Sequence, residues 1–273
     1  MVLSSQNYQQ YLEQVRIIAK SAGEAIMQIY STNFDVVSKK DNSPLTQADL
    51  AAHHVIVTAL RKLTPHIPVL SEESESLDYE IRKNWQQYWL IDPLDGTREF
   101  IKRNGEFTVN IALIDGQKSV LGVVYAPVTD IVYFASLGHG AYKKIKSNAT
   151  LQIHTRLLNL KKTIIAGSRS HTDEKIQKFI HNLEHVTGVA PKLISMGSSL
   201  KICLVAEGSA DVYPRLGLTS EWDTAAAHCV LTEAGGDIVD EASLTIRYNS
   251  KPSLLNPFFF AKSADIQNWA DFM

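Results

Sequence analysis

With 273 residues the chain has room for one sizeable core or two smaller ones, since domains usually run about 100 to 200 residues. Lysine plus arginine total 27 against 29 aspartate plus glutamate, a formal net charge of -2. That balance excludes an overall basic field suited to a nucleic acid polymer, so an anionic ligand needs a local site.

From Tyr8 to Tyr30 the apolar residues Leu12, Val15, Ile18, Ala22, Ile26 and Ile29 recur at helical spacing and predict a half-buried helix. Between Met1 and Arg16 glutamines stand where a signal peptide would carry an apolar run, and no stretch of about 18 apolar residues follows. The reading is a soluble, cytoplasmic protein without a transmembrane segment. A second helix starts near Thr46, a cap with Asp49 three residues later, and runs to Pro65. Ile67 to Leu70 and Tyr88 to Ile91 read as strands that end in acids, Glu72-Glu73 and Asp92. Phe107 to Ile114 and Val120 to Tyr125 flank Asp115-Gly116 as a hairpin, and Ile131 to Ala135 extends the meander.

After a polar stretch around Lys143 to Thr150 the pattern alternates strand and helix, through Thr163–Ala166, Thr172–Leu183, Lys192–Ser195 and Ser198–Glu207. A division into subdomains 1–150 and 151–273 is expected there. Asp223 to Ala234 reads as a helix closed by Gly235-Gly236, and Phe258 to Ala261 as a late apolar run. Cys203 and Cys229, the chain's two cysteines, sit in apolar helical patterns and read as buried thiols in a reduced compartment.

Chemistry concentrates in Asp92-Pro93-Leu94-Asp95-Gly96-Thr97, read as a loop leaving a strand, with Pro93 stiffening the turn and Gly96 freeing the backbone. Two carboxylates and the intervening carbonyl can converge on a hard cation such as Mg²⁺, whereas zinc would want a Cys or His cluster that is absent. Alone, the string is equally a turn with a helix cap. Glu72, Glu73 and Asp223 add further acids at strand and helix ends, each of which is alone more often a solvated acid or a cap.

These segments, with Trp222-Asp223-Thr224-Ala225-Ala226 closed by Ala234-Gly235-Gly236, resemble the inositol monophosphatase superfamily of metal-dependent, lithium-sensitive phosphatases. The motif order holds from Thr46-Gln47-Ala48-Asp49 through Leu70-Ser71-Glu72-Glu73-Ser74 to the closing glycines. The resemblance implies an α/β sandwich layered αβαβα, with two or three Mg²⁺ ions held by Glu72, Asp92, the Leu94 carbonyl, Asp95 and Asp223, and Glu73 behind them. It also implies that Thr97, paired with Asp49, orients a metal-activated water, and that the N–H groups of Gly96 and Thr97 cradle phosphate.

The extension Arg98-Glu99-Phe100 is similar to the 3′(2′),5′-bisphosphate nucleotidase branch, as are Gly167-Ser168-Arg169-Ser170-His171, Gly197-Ser198-Ser199-Leu200-Lys201 and Tyr213-Pro214-Arg215. This implies that His171, Ser198, Lys201 and Arg215 contact the nucleotide and its second phosphate, for which Lys and Arg supply charge-assisted hydrogen bonds. Glu221 before Trp222 departs from the pattern, and an extra carboxylate there would alter metal or phosphate binding. The expected activity is hydrolysis of adenosine 3′,5′-bisphosphate by a monomer or homodimer, cytoplasmic or peripheral to the inner membrane face. The rivals are an inositol monophosphatase, a fructose bisphosphatase, and a nucleotide-binding protein that has lost activity.

Overall fold

In the computed structural model, which describes residues 5–33, 36–38, 44–74, 77–167, 174–264 and 267–273, the first apolar spacing forms α1 (Ser5–Tyr30). A two-stranded ribbon, β1 (Val36–Ser38) and β2 (Pro44–Thr46), leads into α2 (Gln47–Leu63). Then come β3 (Val69–Ser71), α3 (Tyr79–Arg82), β4 (Gln87–Asp95), α4 (Thr97–Ile101), β5 (Thr108–Asp115), β6 (Lys118–Ala126), β7 (Ile131–Ser136), β8 (Ala141–Ile145) and β9 (Leu151–Ile153). Among the described residues β3 to β9 form one sheet in sequence order, antiparallel except for the parallel β3–β4 pair. The expected division at 150 falls just before β9, which pairs with β8 in this same sheet.

A second sheet, ordered β11-β10-β12-β14-β13, is built from β10 (Ile164–Gly167), β11 (Lys192–Ser195), β12 (Val212–Arg215), β13 (Gly236–Asp240) and β14 (Phe259–Ser263). Between its strands lie α5 (Glu174–Thr187), α6 (Leu200–Ala206) and α7 (Glu221–Glu233), and a short 3₁₀ turn, Trp269–Phe272, ends the chain. The sheet is mixed: β10 pairs in parallel with β11 and β12, whereas β12–β14 and β14–β13 are antiparallel.

The period of two along the strands explains how five layers share one molecule. On β4 and β5, Trp89, Ile91, Val109, Ile111 and Leu113 bury against α1 and α2. Their neighbours Tyr88, Leu90, Ala112 and Ile114 bury on the other face with α6 and α7. Beyond the second sheet, Phe179 and Leu183 of α5 pack with Phe260, Trp269 and Phe272. The layers therefore run helix, sheet, helix, sheet, helix. Truncating a residue such as Ile111, fully buried, would cost about 2 to 5 kcal/mol through lost contacts and a cavity.

One glycine sets the depth at which α7 sits. A Cβ on Gly122 of β6 would lie 2.1 Å from the Ala226 carbonyl oxygen, so the helix rests directly on the sheet backbone. The small residues Ala225, Ala226 and Ala227 permit that approach and are buried. This contact fixes the height of Asp223 in the first turn of α7 above the sheet that carries Asp92. Among the described residues no helix is long and apolar enough to cross a membrane.

Candidate active site

The acidic run is strand rather than loop: β4 continues to Asp95. Its pairing with β5 is irregular there, because Asp92 faces Asn110 and Asp95 faces Thr108, three residues advancing on one strand against two on the other. Such a bulge adds one residue, so Asp92 and Asp95 come to the same face despite their odd separation. Pro93 fits the bulge, where it owes no N–H to a ladder. Gly96 then turns the chain at φ +92°, a left-handed conformation that favours glycine, and starts α4 at Thr97.

Asp92, Asp95 and Asp223 meet, with one oxygen from each within 4.8 Å of the others. Each also has an oxygen anchored by the protein. Asp92 Oδ1 accepts the Leu94 N–H at 3.0 Å, and Asp223 Oδ2 accepts the Ser220 N–H at 2.8 Å. Asp95 Oδ2 accepts the N–H and the hydroxyl of Ser199, both at 2.6 Å, and the Asn110 amide at 3.3 Å. Glu72 stands close enough to Asp92 to repel its charge and lines the adjoining cavity.

Burial, with the charges of Glu72, Asp95 and Asp223, pushes the Asp92 carboxyl well above its ordinary range. Burial, with Asp95 and Glu72 adding repulsion that a Ser220 hydrogen bond and Arg215 oppose, pushes Asp223 up to about 8. Crowded carboxylates, one buried and two half-buried, that cannot all ionise together are suited to a cation that removes their repulsion, and an all-oxygen set suits a hard one. The group could therefore hold a metal ion.

Beside it stands Asp49, fully buried, in the first turn of α2. Asp49 Oδ2 accepts the Thr46 N–H at 2.8 Å and the Thr46 hydroxyl at 2.6 Å, which closes the cap expected from the sequence. Its Oδ1 accepts the Thr97 hydroxyl at 3.2 Å, and the Leu94 carbonyl lies 3.4 Å from the same hydroxyl. One carboxylate thus caps a helix and fixes the direction of Thr97.

A cavity of about 230 Å³ joins these groups to the cations: its lining includes Glu72, Asp95, Thr97, Lys201, Arg215 and Asp223. Lys201, mostly buried in the first turn of α6, donates to the Ser198 carbonyl at 2.7 Å and lies 5.3 Å from the centre of the Tyr213 ring. Arg215 Nη2 donates to the Leu218 carbonyl at 2.8 Å. Ser198 lines the same cavity at φ +47°, rare for a residue with a side chain. His171 lies outside the described residues.

Glu221, the departure noted in the sequence, does not line the cavity. It is buried beneath the start of α7, where Glu221 Oε2 accepts the Asn249 N–H at 2.8 Å, and the Asn249 side chain bonds the Arg82 guanidinium. Arg82 in turn reaches the carbonyls of Lys251 and Pro252. The extra carboxylate belongs to a latch between α3, α7 and the loop before β14.

Ser199 and Asn110 were not expected at the site. Ser199 lies within Gly197–Lys201, where one serine among small residues gives no signal of a role beyond a turn. Asn110 gave a clearer signal, a polar residue between Val109 and Ile111 in an apolar strand. The Asn110 amide donates to the Ser199 hydroxyl at 2.7 Å, and both residues are buried.

A profile of the inositol monophosphatase family matches residues 7–255. A 3′(2′),5′-bisphosphate nucleotidase CysQ of Escherichia coli is 51% identical over 251 residues, 91% of this chain and 98% of that protein. The protein of the same name from Buchnera aphidicola is 40% identical over 260 residues, 94% of this chain and 95% of the other. In three dimensions the chain is similar to the crystal structure of CysQ from Bacteroides thetaiotaomicron, described as a bacterial member of the inositol monophosphatase family. The TM-score is 0.79 at 42% identity, over 92% of this chain and 97% of that one.

Proposed function

Since the chain belongs to the inositol monophosphatase family, we propose that the cavity beside Asp92, Asp95 and Asp223 removes the 3′-phosphate of adenosine 3′,5′-bisphosphate, leaving AMP and phosphate. The enzyme is a metal-dependent phosphomonoesterase, a 3′(2′),5′-bisphosphate nucleotidase. The observation that carries the assignment is the meeting in one cavity of a carboxylate group fit for a hard cation with Lys201 and Arg215, fit for a second phosphate.

Asp92, Asp95 and Asp223, with Glu72 and the Leu94 carbonyl, would hold two or three Mg²⁺ ions. The chemistry that Mg²⁺ supplies when bound is acidification of water and neutralisation of charge on the phosphoryl group. The chain's own residues supply direction. Thr97 gives its proton to Asp49 Oδ1, so its oxygen is left as acceptor for a proton of the attacking water. Asp49 cannot turn away, because its other oxygen is held by both donors of Thr46.

The N–H groups of Gly96 and Thr97, at the turn into α4, would receive the phosphate oxygens. His171, Ser198, Lys201 and Arg215 would receive the nucleotide. The ammonium of Lys201 and the guanidinium of Arg215 each donate to one backbone carbonyl and retain further donors for a phosphate.

Phosphate release measured with Mg²⁺ across adenosine 3′,5′-bisphosphate, inositol 1-phosphate and fructose 1,6-bisphosphate tests the assignment. Turnover of the bisphosphate nucleotide well above the others is expected. Efficient turnover of inositol 1-phosphate with none of the nucleotide would sink it.

A further inference from the structure

Serine before a helix ordinarily turns its hydroxyl onto the first free N–H groups of that helix. Ser199 precedes α6 without doing so: at φ −62° and ψ −10° it makes no side-chain cap bond. Its hydroxyl lies 2.6 Å from Asp95 Oδ2 and 2.8 Å from the Asp223 carbonyl oxygen, and its N–H reaches the same Asp95 oxygen at 2.6 Å. The Asn110 amide donates to the hydroxyl oxygen from β5. Ser199 is 3% exposed at the wall of the cavity that Asp95 also lines, so little water competes for its hydroxyl and the bonds direct the carboxylate strongly.

We infer that Ser199 is a positioning residue for the metal-binding carboxylate Asp95, holding Oδ2 through paired N–H and O–H bonds so that the carboxyl presents a fixed edge to the cation. This rests on the metal-binding reading of the acidic group. Asp95 stands at a strand bulge and Asp223 at a helix start, and the Ser199 hydroxyl touches a group from each. The two ligands come from different elements, β4 and α7, and the Ser199 hydroxyl adds a local tie at Asp95 to the spacing that the seating of α7 on Gly122 sets. The backbone supports the same direction: Ser198 adopts φ +47°, the left-handed turn that precedes the Ser199 N–H. Partners that orient a metal ligand typically govern affinity by about 10- to 100-fold.

The test is titration of the substrate-free protein with Mn²⁺, followed by electron paramagnetic resonance, for wild type, Ser199→Ala, Ser199→Cys and Asp95→Asn. Ser199→Ala should weaken Mn²⁺ binding about 10-fold or more. Ser199→Cys, which keeps the side chain's shape and the N–H but offers a weak donor on a larger atom, should weaken it in the same direction and covers the case in which alanine unfolds the site. At saturating Mg²⁺ the KM for adenosine 3′,5′-bisphosphate should stay within about 2-fold of wild type, because the hydroxyl, although Ser199 lines the cavity, is already engaged by Asp95 and Asn110. Unchanged Mn²⁺ affinity in both Ser199 variants, or a raised KM with unchanged Mn²⁺ affinity, overturns the inference. If Asp95→Asn loses Mn²⁺ while the Ser199 variants do not, the positioning role alone fails. If Asp95→Asn itself binds Mn²⁺ like wild type, the metal-binding reading fails.

Discussion

The acidic and cationic parts of the site are built differently. Asp92 and Asp95 take their places from the register of β4 on β5, and Asp223 from the seating of α7 on Gly122, with Asp92 buried and the other two half-buried. Lys201 and Arg215 stand in the first turn of α6 and at the end of β12, steadied by single bonds to nearby carbonyls. The contrast separates two tasks. Cation binding needs fixed oxygens and receives them from sheet geometry, whereas a nucleotide's outer phosphate needs donors that can follow it.

The largest expected effect breaks the acidic part. Asp95→Asn keeps the volume but removes a charge and exchanges one oxygen for an N–H₂ group, opposite the two Ser199 donors or towards the cation. A loss of kcat of about 1000-fold is expected in a phosphate-release assay, comparable with removing a strong electrostatic stabiliser. Unchanged hydrolysis would mean that the chemistry lies elsewhere, and substrate binding without turnover in the wild type would favour a binding protein.

Arg215→Ala addresses the cationic part. A lost charged hydrogen bond is worth about 1.5 to 3 kcal/mol, or roughly a 10- to 100-fold rise in KM for adenosine 3′,5′-bisphosphate. A nucleotide carrying only the 3′-phosphate should change little in the same variant. An equal loss on both substrates would place Arg215 at the reacting phosphate and erase the division of labour.

Much of this division was legible, and the part that was not has identifiable causes. The helical spacing of Leu12, Val15 and Ile26 and the Thr46–Asp49 cap gave α1 and α2, because such signals are local. The acids of the run were visible, but the bulge that aligns Asp92 with Asp95 depends on the partner strand. The strand β12 was obscured by Pro214, which lies beyond the one residue at which β12 pairs with β10, so no ladder bond to that neighbour is required of it. Ser199 and Asp95 are separated by 104 positions, and no spacing rule connects a bulged strand to a helix start across two sheets. Helix capping and site chemistry also proved compatible, since Asp49 and Asp223 each use one oxygen for the residue before their helix.

Protonation sharpens the acidic side further. Asp223 is pushed up to about 8 from 3.8 in the metal-free fold, so it retains its proton near pH 7 while an unfolded chain has lost it. Metal-free stability should therefore fall as pH rises from about 4 to about 8, and Mg²⁺ should restore it by displacing the proton. Calorimetry of Mg²⁺ binding in two buffers of different ionisation enthalpy should register proton release. Affinity should climb by up to about 10-fold per pH unit below pH 8 for each proton displaced. Affinity independent of pH, with no proton released, would mean that the carboxylates are already ionised.

The smallest effect comes from a carboxylate outside the cavity lining, where a similar hydrogen bond serves only the fold. The Tyr8 hydroxyl of α1 donates to Asp115 Oδ2 at 2.5 Å, at the β5–β6 turn, and the Gln86 and Gln87 amides donate to the same carboxylate. Although burial alone would raise the Asp115 carboxyl, these bonds, led by Tyr8, hold it below the ordinary range. A depressed carboxyl contributes stability that is present above the unfolded value of about 3.8 and lost as pH falls through the lower folded value. Tyr8→Phe should therefore cost about 1 kcal/mol near pH 7, the charged bond being discounted for the solvent around Asp115, and less below pH 3. Urea unfolding at both pH values measures the difference, while kcat and KM should remain those of the wild type. A change in kinetics from Tyr8→Phe would mean that the sheet transmits strain from the β5–β6 turn to Asp95 and Asn110 at the other end of β5.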